Sequence, residues 1–240
     1  MVYRIAYSRS SLFWFLIHAI LGVLVAFSPW PLIAWFYFVA ITSGSAMFQP
    51  SIPNRLYSIA MVICYMTTFE LISRISGAFP FVPYEVSKYM MFFLLLLGIF
   101  SGANKERNGT LMLFMILPSF LFADSDEVYF LEVVFNGLGA VNVALAVIFF
   151  SSLKLTFDQF KKLLKLMLYP MFAALVCIFI KTPDLDSIQF SLGANAAASG
   201  GFGPNQVSTV VGLGMFLIFV FWIFDWRWTG NRLLDAGVLV

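Results

Sequence analysis

The amino-acid sequence predicts an all-α fold, a polytopic bundle of transmembrane helices. Of its 240 residues, 61% are hydrophobic and 11% are charged, whereas a soluble domain has about 45–50% apolar and about 25% charged residues. The mean hydropathy is +0.93. Long apolar runs recur along the chain, as expected when each membrane crossing needs about 20 residues. The composition excludes an ordinary soluble globule, and it excludes a disordered chain because such chains are poor in apolar residues.

The apolar runs place eight complete spans in a single transmembrane domain that covers residues 1–240. We expect these spans at residues 12–27, 32–48, 56–72, 89–101, 110–123, 128–152, 166–180 and 206–226. Turns that contain proline or polar residues separate them, for example the hairpin at residues 28–31. Residues 154–165 are amphipathic, with Lys161, Lys162 and Lys165 among apolar side chains. This stretch is expected to lie in the membrane interface, ahead of the seventh span.

A ninth span begins at Leu233, and the sequence reaches Val240 after only eight of its residues. A helix needs about 20 residues to cross a bilayer. We therefore expect the chain to be the N-terminal portion of a longer protein.

The distribution of basic residues predicts a cytoplasmic N-terminus. With that orientation eleven Lys and Arg residues lie inside and three lie outside, as the positive-inside rule requires. The inside set is Arg4, Arg9, Arg55, Lys105, Arg107, Lys154, Lys161, Lys162, Lys165, Arg227 and Arg232; the outside set is Arg74, Lys88 and Lys181. The long loop at residues 181–204 then faces outward.

Several function classes are disfavoured. The net charge is +2 and no long basic block is present, so nucleic acid is not an expected partner. Cys64 and Cys177 lie in apolar runs and are predicted to be buried free thiols. The single histidine, His18, cannot form a histidine metal cluster and is predicted to be a packed or hydrogen-bonded structural residue. No metal or other cofactor is predicted. Thr67, Thr68 and Asn142 are expected to form hydrogen bonds between helices.

The most informative segment is the glycine-rich stretch at residues 199–208, which joins the outward loop to the eighth span. Its glycines permit close approach of a ligand to the backbone. Asn205 is a predicted N-cap whose side chain reaches the amide of Val207 or Ser208. The amides at such a helix start attract phosphate. The alternative interpretation is a glycine-rich turn that only caps a transmembrane helix.

An outward phosphate site must draw on the few outward basic residues. Arg74 could hold a diphosphate through bidentate contacts, and Lys88 is a second candidate. Glu70 and Glu85 lie one helical turn before these two residues, so ion pairs within the chain are the competing interpretation. The predicted substrate-binding residues are Arg74, Lys88, Gly203, Pro204, Asn205 and Gln206. No catalytic residue is assigned.

The motif Pro204-Asn205-Gln206, with its glycine-rich lead-in and the following Gly212-Leu213-Gly214, resembles the Pro-Asn signature of the O-antigen ligase and O-antigen polymerase superfamily. Residues 83–89 resemble the outward Glu–Lys lead-in of that superfamily, and residues 157–170 resemble its basic interfacial helix. Many members have Asn where this chain has Gly203.

The resemblance implies a multi-pass protein of the bacterial inner membrane whose partners are membrane lipid and an undecaprenyl-diphosphate-linked glycan. It implies glycosyl transfer from the lipid diphosphate to a hydroxyl acceptor at the outer face. The catalytic histidine and arginines of the superfamily lie in a large outward loop beyond the eighth span, and this chain has no histidine after His18. The alternatives are a transporter or flippase, which the lack of an internal repeat disfavours, and a non-catalytic scaffold of polysaccharide export.

Overall fold

A computed structural model describes residues 2–102, 107–121, 130–183 and 195–226. Within these ranges the chain forms eight α-helices, one 3-10 turn and no β-strand, so the all-α prediction is confirmed. The helices are α1 (Val2–Phe27), α2 (Trp30–Met47), α3 (Ile52–Ser76), α4 (Val86–Phe100), α5 (Arg107–Leu121), α6 (Phe130–Ser151), α7 (Phe157–Lys181) and α8 (Pro204–Ile223), and the 3-10 turn is Ala197–Ser199. The predicted start of a ninth span, residues 233–240, lies outside the described residues.

Three helical segments in the described part of the chain are long and apolar enough to cross a membrane. They are α3, α7 and the segment Ala197–Ile223, which contains α8. Shorter apolar helical stretches are Ser11–Phe27, Val86–Phe100, Asn108–Pro118 and Phe135–Ser151. The structure therefore supports a helical membrane protein. Its described residues form eight helices, but only three segments are long and apolar enough to qualify as spans, so the predicted eight complete spans are supported in part.

The chain divides into two compact units. Unit 1 comprises Met1–Tyr37, Thr68–Tyr84 and Lys161–Val240, and unit 2 comprises Phe38–Thr67 and Glu85–Phe160. Helices α2, α3 and α7 are each divided between the two units, with one segment in unit 1 and one in unit 2.

Unit 1 packs around α7. A Cβ atom on Gly22 of α1 would collide with the backbone oxygen of Ala173, so glycine allows the two backbones to approach closely. Phe15 stacks on Phe172, with ring centroids 3.6 Å apart. Helix α7 also packs on α8 through an apolar cluster formed by Leu168, Met171, Leu217, Ile218 and Phe221, and Phe15 of α1 packs against the same cluster. Close backbone contact and aromatic stacking thus hold α1 against α7, and apolar packing holds α8 against it.

A hydrogen bond also joins α3 to α7. The hydroxyl of Thr68, which is fully buried, donates to the carbonyl oxygen of Met167 over 2.8 Å. Pro170 lies one turn further along α7. Proline has no N–H to continue the helical hydrogen bonds, and its ring displaces the carbonyl of Leu166. The predicted interhelical hydrogen bond of Thr68 is therefore confirmed. Its acceptor is the carbonyl next to that of Leu166, the one that Pro170 leaves without a helical donor.

Lys165 corrects the prediction of an interfacial stretch at residues 154–165. Helix α7 begins at Phe157 and continues without a break to Lys181. Lys165 is only 5% exposed, and its Nζ donates to the hydroxyl of Ser11 over 2.9 Å. Because α1 packs on this side of α7, the ammonium lies inside unit 1 and not on a lipid-facing basic surface.

His18 is a packed structural residue, as predicted. Its Nδ1 lies 2.7 Å from the carbonyl oxygen of Trp14, and the side chain is buried. The imidazole stacks on Tyr169 at 5.3 Å and meets Trp35 edge-on at 5.2 Å. Cys64 and Cys177 are both buried free thiols, which confirms the prediction for each of them.

In unit 2, α6 packs against both α4 and α5. A Cβ on Gly98 of α4 would meet the ring of Phe149 on α6. The predicted polar contacts are also present. Thr67 donates to Ile63 of its own helix over 2.8 Å and lies 3.8 Å from the sulfur of Met91 on α4. Asn142 of α6 donates to the carbonyl oxygen of Lys88 on α4 over 2.9 Å.

Candidate functional site

The glycine-rich lead-in to α8 is a compact, ordered turn. The 3-10 turn ends at Ser199, and Gly200 and Gly201 follow with φ angles of 69° and 81°. The N–H of Gly201 donates to the carbonyl oxygen of Ala196 over 2.8 Å. The buried hydroxyl of Ser199 lies between the carbonyl oxygens of Ala196 and Phe202. Two left-handed glycines thus reverse the chain immediately before the helix starts.

The start of α8 corrects the predicted cap. Gly203 occupies the N-cap position, Pro204 is the first helical residue, and no side chain caps the helix. The carbonyl oxygen of Gly203 accepts from the N–H of Gln206 at 3.1 Å and of Val207 at 3.2 Å. Proline is favoured at the first helical position, because its φ suits a helix and it has no N–H to satisfy. Asn205 therefore lies two positions after the N-cap, and its side chain is exposed on the first turn.

The ends of three helical segments meet beside this turn in unit 1. A Cβ on Gly200 would lie 3.2 Å from the Cα of Ile178, near the end of α7. One turn further along α7, Lys181 Nζ donates to the carbonyl oxygen of Ile75 over 2.9 Å, which joins α7 to the end of α3. Arg74 is the preceding residue of α3. The glycine turn, Lys181 and Arg74 therefore belong to the same end of unit 1.

Arg74 forms an ion pair with Glu70, the alternative to diphosphate binding that the sequence left open. Its Nε donates to Glu70 Oε1 over 2.9 Å, and a terminal nitrogen contacts the same oxygen. The guanidinium carbon lies 4.9 Å from the centroid of the Tyr84 ring. Both partners come from the segment between residues 70 and 84, so Arg74 makes its observed contacts locally.

Lys88 belongs to unit 2, whereas the other predicted site residues belong to unit 1. Its ammonium pairs with Glu85 and donates to the carbonyl oxygen of Phe135 over 3.2 Å. The same ammonium lies 4.4 Å from the centre of the Phe135 ring. Together with the bond from Asn142 to the Lys88 carbonyl, these contacts tie α4 to α6. The structure thus gives Lys88 a part in helix packing.

Sequence reasoning did not include Lys181 in the site. It is one of the three basic residues predicted to face outward, and it is the last residue of an apolar helix. The sequence does contain a feature that could have indicated Lys181, because the loop that begins at this residue leads directly to the glycine turn. Its contact with Ile75 could not be predicted, since the two residues are far apart in the sequence.

No protein-family model, no curated protein and no solved structure matches this chain. Among the residues that the structure describes, no group of three or more His, Cys, Asp or Glu could hold a metal ion. The candidate site consequently rests on the glycine turn, the first turn of α8 and the cations at that end of unit 1.

Proposed function

We propose that this chain binds an undecaprenyl-diphosphate-linked glycan at the outer face of the bacterial inner membrane, as part of a lipid-linked glycan ligase or polymerase. The observation that carries the proposal is the sequence Gly203-Pro204-Asn205-Gln206 at the start of α8, in the same end of unit 1 as Arg74 and Lys181. A helix start attracts phosphate groups, and Arg and Lys complement a diphosphate. The resemblance of this motif to the Pro-Asn signature is the reason for proposing that the bound diphosphate carries a glycan.

The proposal includes eight membrane crossings with a cytoplasmic N-terminus. Helices α1 to α8 follow the eight predicted spans in order. The excess of Lys and Arg on the inner side in this arrangement supports the orientation. With these crossings, Arg74, Lys181 and the start of α8 all face outward, where a diphosphate lipid presents its glycan.

The proposed chemistry is glycosyl transfer. The bond between the anomeric carbon and the diphosphate oxygen breaks, a bond to the acceptor oxygen forms, and the acceptor proton passes to a base. The negative charge that develops on the leaving diphosphate is stabilised by fixed donors and cations. Arg74, Lys181 and the exposed side-chain amide of Asn205 on the first turn of α8 would perform this function. His18 is not the base, because it is buried among aromatic rings within unit 1.

The pairing of Arg74 with Glu70, and of Lys88 with Glu85, favours one competing function. A non-catalytic membrane scaffold of a polysaccharide export system needs no anion site, and its basic residues can be used entirely in packing. The two functions differ in whether the chain binds a diphosphate lipid.

The test compares binding of undecaprenyl diphosphate to the wild-type chain and to the double variant Arg74→Ala, Asn205→Ala in lipid nanodiscs. We expect the affinity to fall by about ten-fold or more, since one charge-assisted hydrogen bond contributes about 1.5–3 kcal/mol. Lys162→Ala is the matched control, because Lys162 is exposed and lies at the opposite end of α7. Equal affinity of the double variant and the wild type would remove the proposed anion site and favour the scaffold.

A further inference from the structure

The loop after α3 presents aromatic rings from a fixed backbone. Ala78 and Val82 are buried, whereas Phe79 is 73% exposed and Phe81 is 53% exposed. The N–H of Ala78 donates to the hydroxyl of Ser76 over 3.2 Å. The carbonyl oxygen of Phe81 accepts from the hydroxyl of Tyr37 over 3.1 Å. These contacts hold the backbone from which the exposed rings of Phe79 and Phe81 project.

Trp30 and Tyr84 extend this exposed surface. Trp30 is 60% exposed and its ring centroid lies 5.4 Å from that of Phe81. The exposed Tyr84 ring contacts the guanidinium of Arg74. We call Trp30, Phe79, Phe81 and Tyr84 the aromatic loop cluster. The Arg74 guanidinium thus lies beside one of these four exposed rings in unit 1.

The cluster lies where apolar helices end. Helix α3 is long and apolar enough to cross a membrane and ends at Ser76, immediately before the loop. Trp30 is the first residue of α2. A side chain at the end of a spanning helix lies at the boundary between the acyl chains and the headgroups. Aromatic residues concentrate at this boundary, and those with a polar tip suit it best.

An exposed apolar face of α1 leads to the cluster. Ile20, Leu24 and Phe27 are all exposed, and their spacing places them on one face of the helix. Trp30 follows after a turn of two residues. Lipid acyl chains can cover this face of α1, and the aromatic loop cluster continues it toward the headgroups.

We propose that the aromatic loop cluster is an interfacial anchor that binds the headgroup region of the phospholipid bilayer. The rings enter the boundary layer, and Arg74 lies at the level of the lipid phosphates. The anchor would fix the depth of the α3 end in the membrane. This inference does not depend on binding of a diphosphate-linked glycan.

The test measures the depth of a fluorescent label at position 79. The variant Phe79→Cys is labelled with a thiol-reactive fluorophore, and the buried Cys64 and Cys177 leave the new thiol as the accessible one. The labelled protein is placed in nanodiscs of phosphatidylcholine that carries bromine either near the headgroup or near the end of the acyl chain. We expect roughly two-fold stronger quenching by the shallow bromine and little quenching by aqueous iodide.

Ile20→Cys is the matched control, since Ile20 is exposed inside an apolar helix of the same unit. Its label should be quenched more by the deep bromine. A second label, in the variant Phe81→Cys, repeats the measurement if the first variant does not fold. Strong iodide quenching at positions 79 and 81, with no quenching by either lipid, would overturn the proposal and show that the cluster stands in water, where a soluble glycan could reach it.

Discussion

The end of α3 and the start of α4 carry the same sequence pattern with different structural consequences. In each region a basic residue follows a glutamate by one helical turn and contacts an aromatic ring. At the end of α3, the glutamate and the ring that contact Arg74 both come from the adjacent sequence. At the start of α4, Lys88 also contacts Phe135 on another helix. An ion pair predicted from sequence spacing can therefore be either local or part of the packing between helices.

Lys88 and Asn142 form a two-way connection in unit 2. The ammonium of Lys88 donates to a carbonyl of α6, and the amide of Asn142 on α6 donates to the carbonyl of Lys88. The contacts described for Arg74 are with Glu70 of its own helix and with the Tyr84 ring in the following loop. Variants in these regions should therefore differ in their effect on stability.

The largest expected effect is that of Lys88→Met. This change removes the ammonium that pairs with the buried Glu85 carboxylate and that donates to the Phe135 carbonyl. We expect the free energy of unfolding to fall by about 2–4 kcal/mol, because loss of one partner leaves a buried charge poorly compensated. Unfolding in mixed micelles measures the change. The control Lys154→Met alters an exposed lysine, and an equal effect in both variants would contradict the packing function of Lys88.

An intermediate effect is expected for Asn142→Leu. The variant loses the hydrogen bond from α6 to α4 but keeps a side chain of similar size. Hydrogen bonds between membrane helices contribute about 0.6 kcal/mol on average, so a destabilisation of about that size is expected. Asn136→Leu on the exposed side of α6 is the control. If the effects of Asn142→Leu and Lys88→Met simply add, the two residues do not act as one connection.

The smallest effect on stability is expected for Arg74→Gln. Its ion pair lies within one helix, and the amide of glutamine can still donate to the largely buried Glu70 carboxylate. We therefore expect the free energy of unfolding to fall by only about 0.5 kcal/mol. The variant should keep nearly the wild-type unfolding transition while its affinity for undecaprenyl diphosphate decreases. A loss of stability as large as that of Lys88→Met would end the distinction between the two regions.

The sequence was sufficient for the positions of the helices, because apolar runs are bounded by proline, glycine and polar residues. The predicted second span at 32–48 matches α2, and the predicted eighth span at 206–226 matches α8 within a few residues. The prediction of an exposed basic surface was wrong at Lys165, because tertiary packing determines whether that side chain is buried. Lys165 is on the polar side of a local amphipathic pattern, but that pattern contains no information that α1 covers this side.

Local chemistry predicted part of the candidate site. The spacing of Glu70 and Arg74 correctly predicted their ion pair. The prediction that Asn205 caps α8 was wrong, because the preference of Pro204 for the first helical position outweighs the capping preference of Asn205. The contact of Lys181 with Ile75 and that of Lys88 with Phe135 depend on residues distant in the sequence. Such contacts need the fold, since no local pattern specifies which helices are neighbours.

The hydrogen bond from Thr68 to Met167 has a consequence for how this chain can change in evolution. The side chain at position 68 is fully buried and donates to a backbone carbonyl of another helix. Valine has nearly the same shape as threonine but lacks the hydroxyl, so it would fill the space and lose the bond. Both the volume and the donor constrain this position, and it should accept fewer replacements than the apolar positions beside it.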